Sequence, residues 1–284
     1  MKANQKKYSN TIVILIITLF LFTTTGCIGS RIAGDGKIVE EKREIINFTK
    51  IKVSSILNVE LRQADEYDIL VKTDENLMEY IITEEKNGVL YIYCKKKFNN
   101  IKPTKLIVYV SLPNLEKLEG SGACNIEMKN NFTLKDFECD FSGAADIKLN
   151  FTALNFDCDI SGASDVYVKS KHTKNNIEIS GASEVNFEFI AEQTNLNISG
   201  ASDISLKGRS TNFDIELSGA SDLDAYEFNS NTGDVNASGA SSAKIYVSDD
   251  LSAKASGASS IKVKGNPSQK KIIKSGASSV RFRE

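Results

Sequence analysis

The chain has no tryptophan, a single histidine and only five cysteines among its 284 residues, and each scarcity removes a class of function. Without tryptophan, and with 8% aromatic residues, little is available for the stacking platform that many carbohydrate binders use. A serine nucleophile needs an activating base. His172 is the one histidine and lies in no Gly-x-Ser-x-Gly context, so no catalytic residue is assigned. Cys94, Cys124, Cys139 and Cys158 show neither Cys-x-x-Cys nor Cys/His spacing, which leaves no zinc site and no dense disulfide framework; they read as core residues. Surplus positive charge is missing too. A formal net charge of −2 offers no footprint for nucleic-acid phosphates.

Long apolar runs are also lacking. The longest, from Thr11 to Phe22, has 12 residues, where a hydrocarbon core needs roughly 20. It follows Lys2, Lys6 and Lys7 and runs into Thr23-Thr24-Thr25-Gly26-Cys27. Residues 1–26 therefore read as a lipoprotein signal peptide and Cys27 as the lipidated first residue of the mature chain, with the membrane as its partner. Thr24 stands where such signals usually carry leucine. Ordinary cleavage that leaves Cys27 a free thiol, or an uncleaved short anchor, are the alternatives, and all of them export the chain. Residues 27–47 suit a lipid anchor and linker. Ile28 gives no acidic retention signal, which favours the outer membrane or cell surface of the envelope.

What the chain has in quantity is one repeat. Ser-Gly-Ala begins at Ser121, Ser142, Ser161, Ser180, Ser199, Ser218, Ser238, Ser256 and Ser275, with a spacing close to 19. The residues between are varied and patterned, so this is a repeat architecture rather than low complexity. Aligned on the serine, apolar residues stand five, three and one positions before it, as in Phe137, Cys139 and Phe141, in Phe156, Cys158 and Ile160, and in Phe213, Ile215 and Leu217, with polar residues between. That period of two marks a half-buried strand. A second apolar pair follows each corner, as in Ile147 and Leu149 or Val166 and Val168, and marks a second strand.

Two strands and two corners make one coil. Nineteen residues are too few for the common helical repeats or for a propeller blade, and no 3.6-residue apolar period appears. The pattern predicts an all-β protein: a right-handed, single-stranded parallel β-helix, or solenoid, of about nine 19-residue coils over residues 120–284. The handedness follows from the general bias of parallel crossovers. At ~4.8 Å per strand the coils would form a rod of roughly 40 Å. Residues 48–119 form an N-terminal β region that caps or extends it, with strands expected at Ile51–Val53, Val59–Leu61, Ile69–Val71, Val89–Tyr93 and Leu106–Val110, and a short helix near Asn76 to Thr83. At the other end Lys270-Lys271 and Val280-Arg281-Phe282-Arg283 place charge by the last edge, as edge protection requires.

The chain resembles the family described as putative auto-transporter adhesin, head GIN domain. The resemblance runs from Phe48-Thr49-Lys50-Ile51-Lys52-Val53 through Asp74-Glu75-Asn76-Leu77, Gly88-Val89-Leu90-Tyr91-Ile92 and Leu112-Pro113-Asn114-Leu115 into Glu119-Gly120-Ser121-Gly122-Ala123 and the later Ser-Gly-Ala-Ser-Asp corners. It implies a β-helix-like fold and an exported location. It carries over no catalytic or binding residue.

Two columns invite chemistry. Asp146, Asp165, Glu184, Asp203 and Asp222 each lie four residues after a corner serine, and carboxylates about 4.8 Å apart repel. Calcium, a metal of oxygen ligands, would relieve that repulsion, although the glycine-dense nonapeptide of calcium-binding solenoids is missing; the simpler reading is a solvated acidic face. The serine column from Ser142 to Ser275 offers hydroxyls to a glycan or a protein, or simply bonds the corner backbone. Cys139 and Cys158 share an inward position on adjacent coils, either as a disulfide or as two reduced thiols. No resident cofactor is called for. The functional expectation is an exported, lipid-anchored surface scaffold, an adhesion or protein-interaction module without catalysis. The alternatives are a polysaccharide-binding module and a polysaccharide-degrading enzyme, for which regular carboxylate columns are a poor substitute for a cleft.

Overall fold

Alternation of apolar and polar residues makes each segment of the repeat a strand with one face to bury, and in a computed structural model describing residues 32–95 and 101–283 those faces meet. The strand Asp136–Gly143 buries Phe137, Cys139 and Phe141 and exposes Glu138 and Asp140. After the corner, Asp146–Thr152 buries Ile147, Leu149 and Phe151. The coils up to Ser260–Lys264 repeat this, so the molecule is a β-solenoid of two parallel sheets closed over one core. Within each sheet a strand pairs in parallel with its counterpart one coil on, in register: Cys139 opposite Cys158 and then Ile177, and Ile147 opposite Val166 and then Val185. Each fully buried Phe, Leu or Ile contributes about 1.5–3 kcal/mol. In three successive later coils the second corner smooths into a bend, giving the continuous strands Asp203–Leu217, Asp222–Ala237 and Ser242–Ala255, after which Ser260–Lys264 and Gln269–Lys274 are separate again.

Beneath the second corner runs an aromatic ladder. Phe151 meets Phe137 and Phe156 edge-on at 4.9 and 4.8 Å between centroids. His172 sits between Phe156 and Phe189 at 5.6 and 4.8 Å, and Phe228 continues the series beyond Phe189.

The solenoid begins before the first Ser-Gly-Ala. Lys50–Ser54 and Asn58–Gln63 pair in parallel with Lys117–Gly122 and Asn125–Met128, as one more coil. A further layer lies outside that one although it comes later in sequence: Val89–Cys94 pairs with Lys50–Ser54, and Leu106–Leu112 with Asn58–Gln63, both in parallel. Antiparallel strands then close this end. Ile81–Lys86 covers Val89–Cys94, and Asp68–Asp74 followed by Ile38–Arg43 covers Leu106–Leu112. The outermost strand is rich in charge and carries the ion pairs Glu40–Lys72 and Lys42–Asp68, a means of blunting an open sheet edge. The expected short helix is a 3-10 turn, Glu75–Tyr80.

Asp74, fully buried, ties the N-terminal segment to this cap. Its carboxylate accepts from the backbone N–H groups of Gly36 at 2.9 Å and Thr104 at 2.8 Å. Burial pushes its pKa up, but the Thr104 hydroxyl together with the backbone N–H groups of Gly36, Thr104 and Lys105 outweighs this and holds the carboxyl below the usual carboxylate value.

At the opposite end the last described coil, Gln269–Lys274 and Ser279–Phe282, has lysine where earlier coils have core. Lys270 and Lys274 occupy the register positions at which Leu251 and Ala255 are buried. Lys270 lies over the Phe282 ring, 4.7 Å from its centroid. Charge at the inward register positions of an edge coil opposes the addition of another strand.

Candidate functional site

The corner determines what each coil can display. Gly162 has φ +99, and a Cβ there would stand 2.4 Å from the carbonyl oxygen of Gly143, so only glycine lets the coils stack at strand spacing. Corner backbone bonds run along the axis: Ala163 N donates to Gly143 O and Ala182 N to Gly162 O, both at 2.8 Å. The leading serines serve the same backbone. Ser161 Oγ donates to Phe141 O at 3.3 Å and Ser238 Oγ to Leu217 O at 3.2 Å.

A second serine column was missed by reading the repeat as a tripeptide. Ser164, Ser183, Ser202, Ser221, Ser241 and Ser259 are buried. Ser183 Oγ donates to Gly162 O and accepts from Ser164 N; Ser202 Oγ donates to Gly181 O and accepts from Ser183 N. The fourth letter of Ser-Gly-Ala-Ser was the available signal. A small hydroxyl at a buried turn satisfies backbone groups that the sheet leaves over.

Asp146, Asp165, Glu184, Asp203 and Asp222 do lie in one register column. All five are exposed. Among the described residues no three His, Cys, Asp or Glu side chains gather closely enough to hold a metal ion. The column borders a shallow depression of about 480 Å³ beside Asp224 and Lys244.

The other sheet shows the sharper electrostatics. Asp140, Asp159 and Glu178 are in register on three successive strands, beside the pair Glu138 and Asp157. Partial burial, then the neighbouring Asp159 and Glu119, raise the pKa of Asp140. Asp157 is raised by burial and then by Glu138, and Asp214 by burial and then by Asp234. Farther along this sheet a shallow, open depression of about 540 Å³ is lined by amides and carboxylates, among them Gln193, Asn212, Asp214 and Asp234, together with Lys270 and Lys271.

The one serine–histidine contact among the described residues is internal. Ser170 Oγ lies 3.2 Å from His172 Nδ1, and Asn175 Nδ2 lies 2.7 Å from Nε2. Both Ser170 and His172 are buried, and burial pushes the imidazole pKa down to about 4. The network continues through Thr194 to Ser210, all buried. It is a hydrogen-bonded patch of core. Cys94, Cys124, Cys139 and Cys158 are free and buried thiols. Cys27, the lipidation candidate, lies outside the described residues.

No curated protein matches the chain. Solved structures do. A protein of Parabacteroides merdae ATCC 43184 described as a putative adhesin aligns with TM-score 0.68 at 20% identity, over 89% of this chain and 99% of that one. One from Parabacteroides distasonis ATCC 8503 described as a putative lipid binding protein gives 0.67 at 20% identity, over 89% and 100%. A putative adhesin from the same strain gives 0.64 at 22%, over 89% and 100%. These likenesses show the shared fold. The family model described as putative auto-transporter adhesin, head GIN domain, matches residues 47–201 and 168–267. Those matches span the first solenoid coil and nearly all the Ser-Gly-Ala coils, and the chain belongs to that family.

Proposed function

We propose that the protein is an exported surface scaffold, held to the cell envelope by a lipid on Cys27, that binds partners along its outer faces and performs no catalysis. The observation that carries this reading is the division of the molecule into a filled interior and long, regular polar faces. Aromatic and aliphatic side chains occupy the core, and its one serine–histidine contact is sealed there. What remains for recognition is a stack of outward columns, the kind of extended surface repeat proteins use to meet partners. Solved structures of the same fold described as putative adhesins support it.

A polysaccharide ligand is the second reading. The amide- and carboxylate-lined depression around Gln193, Asn212 and Asp214 favours it, since such groups hydrogen-bond sugar hydroxyls. The P. distasonis neighbour described as lipid binding suggests a lipid as a third ligand class, but the packed core makes any lipid contact a surface one.

Metabolic labelling with a palmitate analogue tests the anchor. Label incorporated by the native chain and lost in Cys27→Ser is expected; label retained in that variant removes the anchor from the account. Glycan-array and pull-down screening of the chain from Gly29, which keeps every described coil, tests the binding role.

A further inference from the structure

Charge is segregated along the solenoid. Between Asp136 and Asp234 the sequence has eighteen acids and six bases, whereas between Lys244 and Arg283 it has nine bases and two acids. The fold turns this segregation into two ladders on opposite sheets. On one, Asp140, Asp159 and Glu178 stand in register on successive strands. On the other, Lys244, Lys262 and Arg281 do the same, several coils farther along. Like charges directly opposite one another on neighbouring strands are destabilising, so each ladder costs stability unless a counter-charge meets it.

Neither ladder is neutralised within the molecule. Lys244 reaches Asp224 at 2.7 Å, but Lys262 and Arg281 have no ion-pair partner among the described residues, nor have Asp159 and Glu178. The ladders lie on opposite sheets and at different heights, so they cannot meet each other in one copy. Their spacing nevertheless agrees, because both are set by strand pairing at ~4.8 Å. A rod with the same spacing and the opposite sign is thus the best-matched partner for either ladder, and each copy supplies one.

We propose that copies of this chain associate side by side in a stagger, the Lys244–Lys262–Arg281 ladder of one seated on the Asp140–Asp159–Glu178 ladder of the next. Such a contact joins two different surfaces, so it leaves one ladder of each kind open and can propagate. Lateral association is also the mode left available by the fold's edges, where outer charges at one end, and Lys270 and Lys274 at the core register positions of the other, oppose strand addition. The proposal is independent of the adhesion reading, because it requires no foreign ligand.

Sedimentation velocity of the chain from Gly29 tests it, at about 0.01 M and about 1 M salt, where the Debye length falls from about 30 Å to about 3 Å. Concentration-dependent association at low salt that disappears at high salt is expected. Lys262→Glu with Arg281→Glu should weaken association at least tenfold, as should Asp159→Lys with Glu178→Lys, each variant keeping the circular dichroism and melting temperature of the parent. Mixing the two variants should restore association, since one keeps the basic ladder and the other the acidic one. A monomer under all conditions overturns the proposal, as does association indifferent to both reversals or a mixture that fails to recover. A chain that stays monomeric while its basic coils capture phosphatidylglycerol vesicles also overturns it, and would assign those coils to an anionic lipid surface.

Discussion

Asn175 donates from Nδ2 to His172 Nε2 at 2.7 Å inside the core, which assigns the ring proton to Nδ1, facing the Ser170 hydroxyl at 3.2 Å. The imidazole is therefore held neutral, flanked by Phe156 and Phe189. Unfolding frees it to take up a proton at about 6.5, whereas in the fold it resists until about 4. The unfolded state binds more protons throughout that window, so stability falls as pH drops from about 6.5 to about 4, by about 3 kcal/mol in full. Denaturant titrations of the native chain and His172→Gln across this range should differ by a term with that pH dependence. A pH-independent difference would contradict the assignment.

The stacked corners make a stricter demand. Gly181 has φ +104, and a Cβ on it would lie 2.3 Å from Gly162 O. Gly181→Ala should cost about 3 kcal/mol through backbone strain alone, while the exposed neighbour Ala182→Ser should stay within about 0.5 kcal/mol. Equal melting temperatures for the two variants would show that the corner does not stack as described.

Ser202→Ala should destabilise by about 1–3 kcal/mol, because it leaves the buried N–H of Ser183 without its acceptor. The leading serine nearby, Ser199, is exposed and bonds only the Ile179 carbonyl, so Ser199→Ala should cost less. Thermal denaturation of both variants tests the order.

Asp74→Ala removes the acceptor for Gly36 N and Thr104 N. Hydrogen bonds to a charged group contribute about 1.5–3 kcal/mol each, so limited proteolysis should release the segment before Lys50 from the variant far sooner than from the parent. Unchanged cleavage would show that the segment is held by something else.

The repeat was legible because its signal is local. A period of two in Phe137, Cys139 and Phe141, interrupted every nineteen residues by a glycine, dictates strand, buried face and corner together. The order of layers at the N-terminal end was not legible. Leu90 and Ile92 alternate just as Ile51 and Val53 do, and alternation says nothing of which strand lies beside which, or whether the pair is parallel or antiparallel. The register therefore placed a later layer outside an earlier one without any local mark. Candidate sites follow the same division. The acidic column from Asp146 to Asp222 could be read from spacing alone, but its exposure, and the roles of Ser183, Ser202 and Asp74 inside, depend on which neighbours the coils bring above and below.

The central claim, a scaffold that binds through its outer faces, is tested most directly by glycan-array and pull-down screening of the chain from Gly29 beside a variant with Asp159→Lys and Asp214→Lys. The account predicts saturable capture of a ligand that leaves unmodified and is bound at least tenfold more weakly by the variant. No capture under any condition, or conversion of a captured glycan to shorter products, would contradict it.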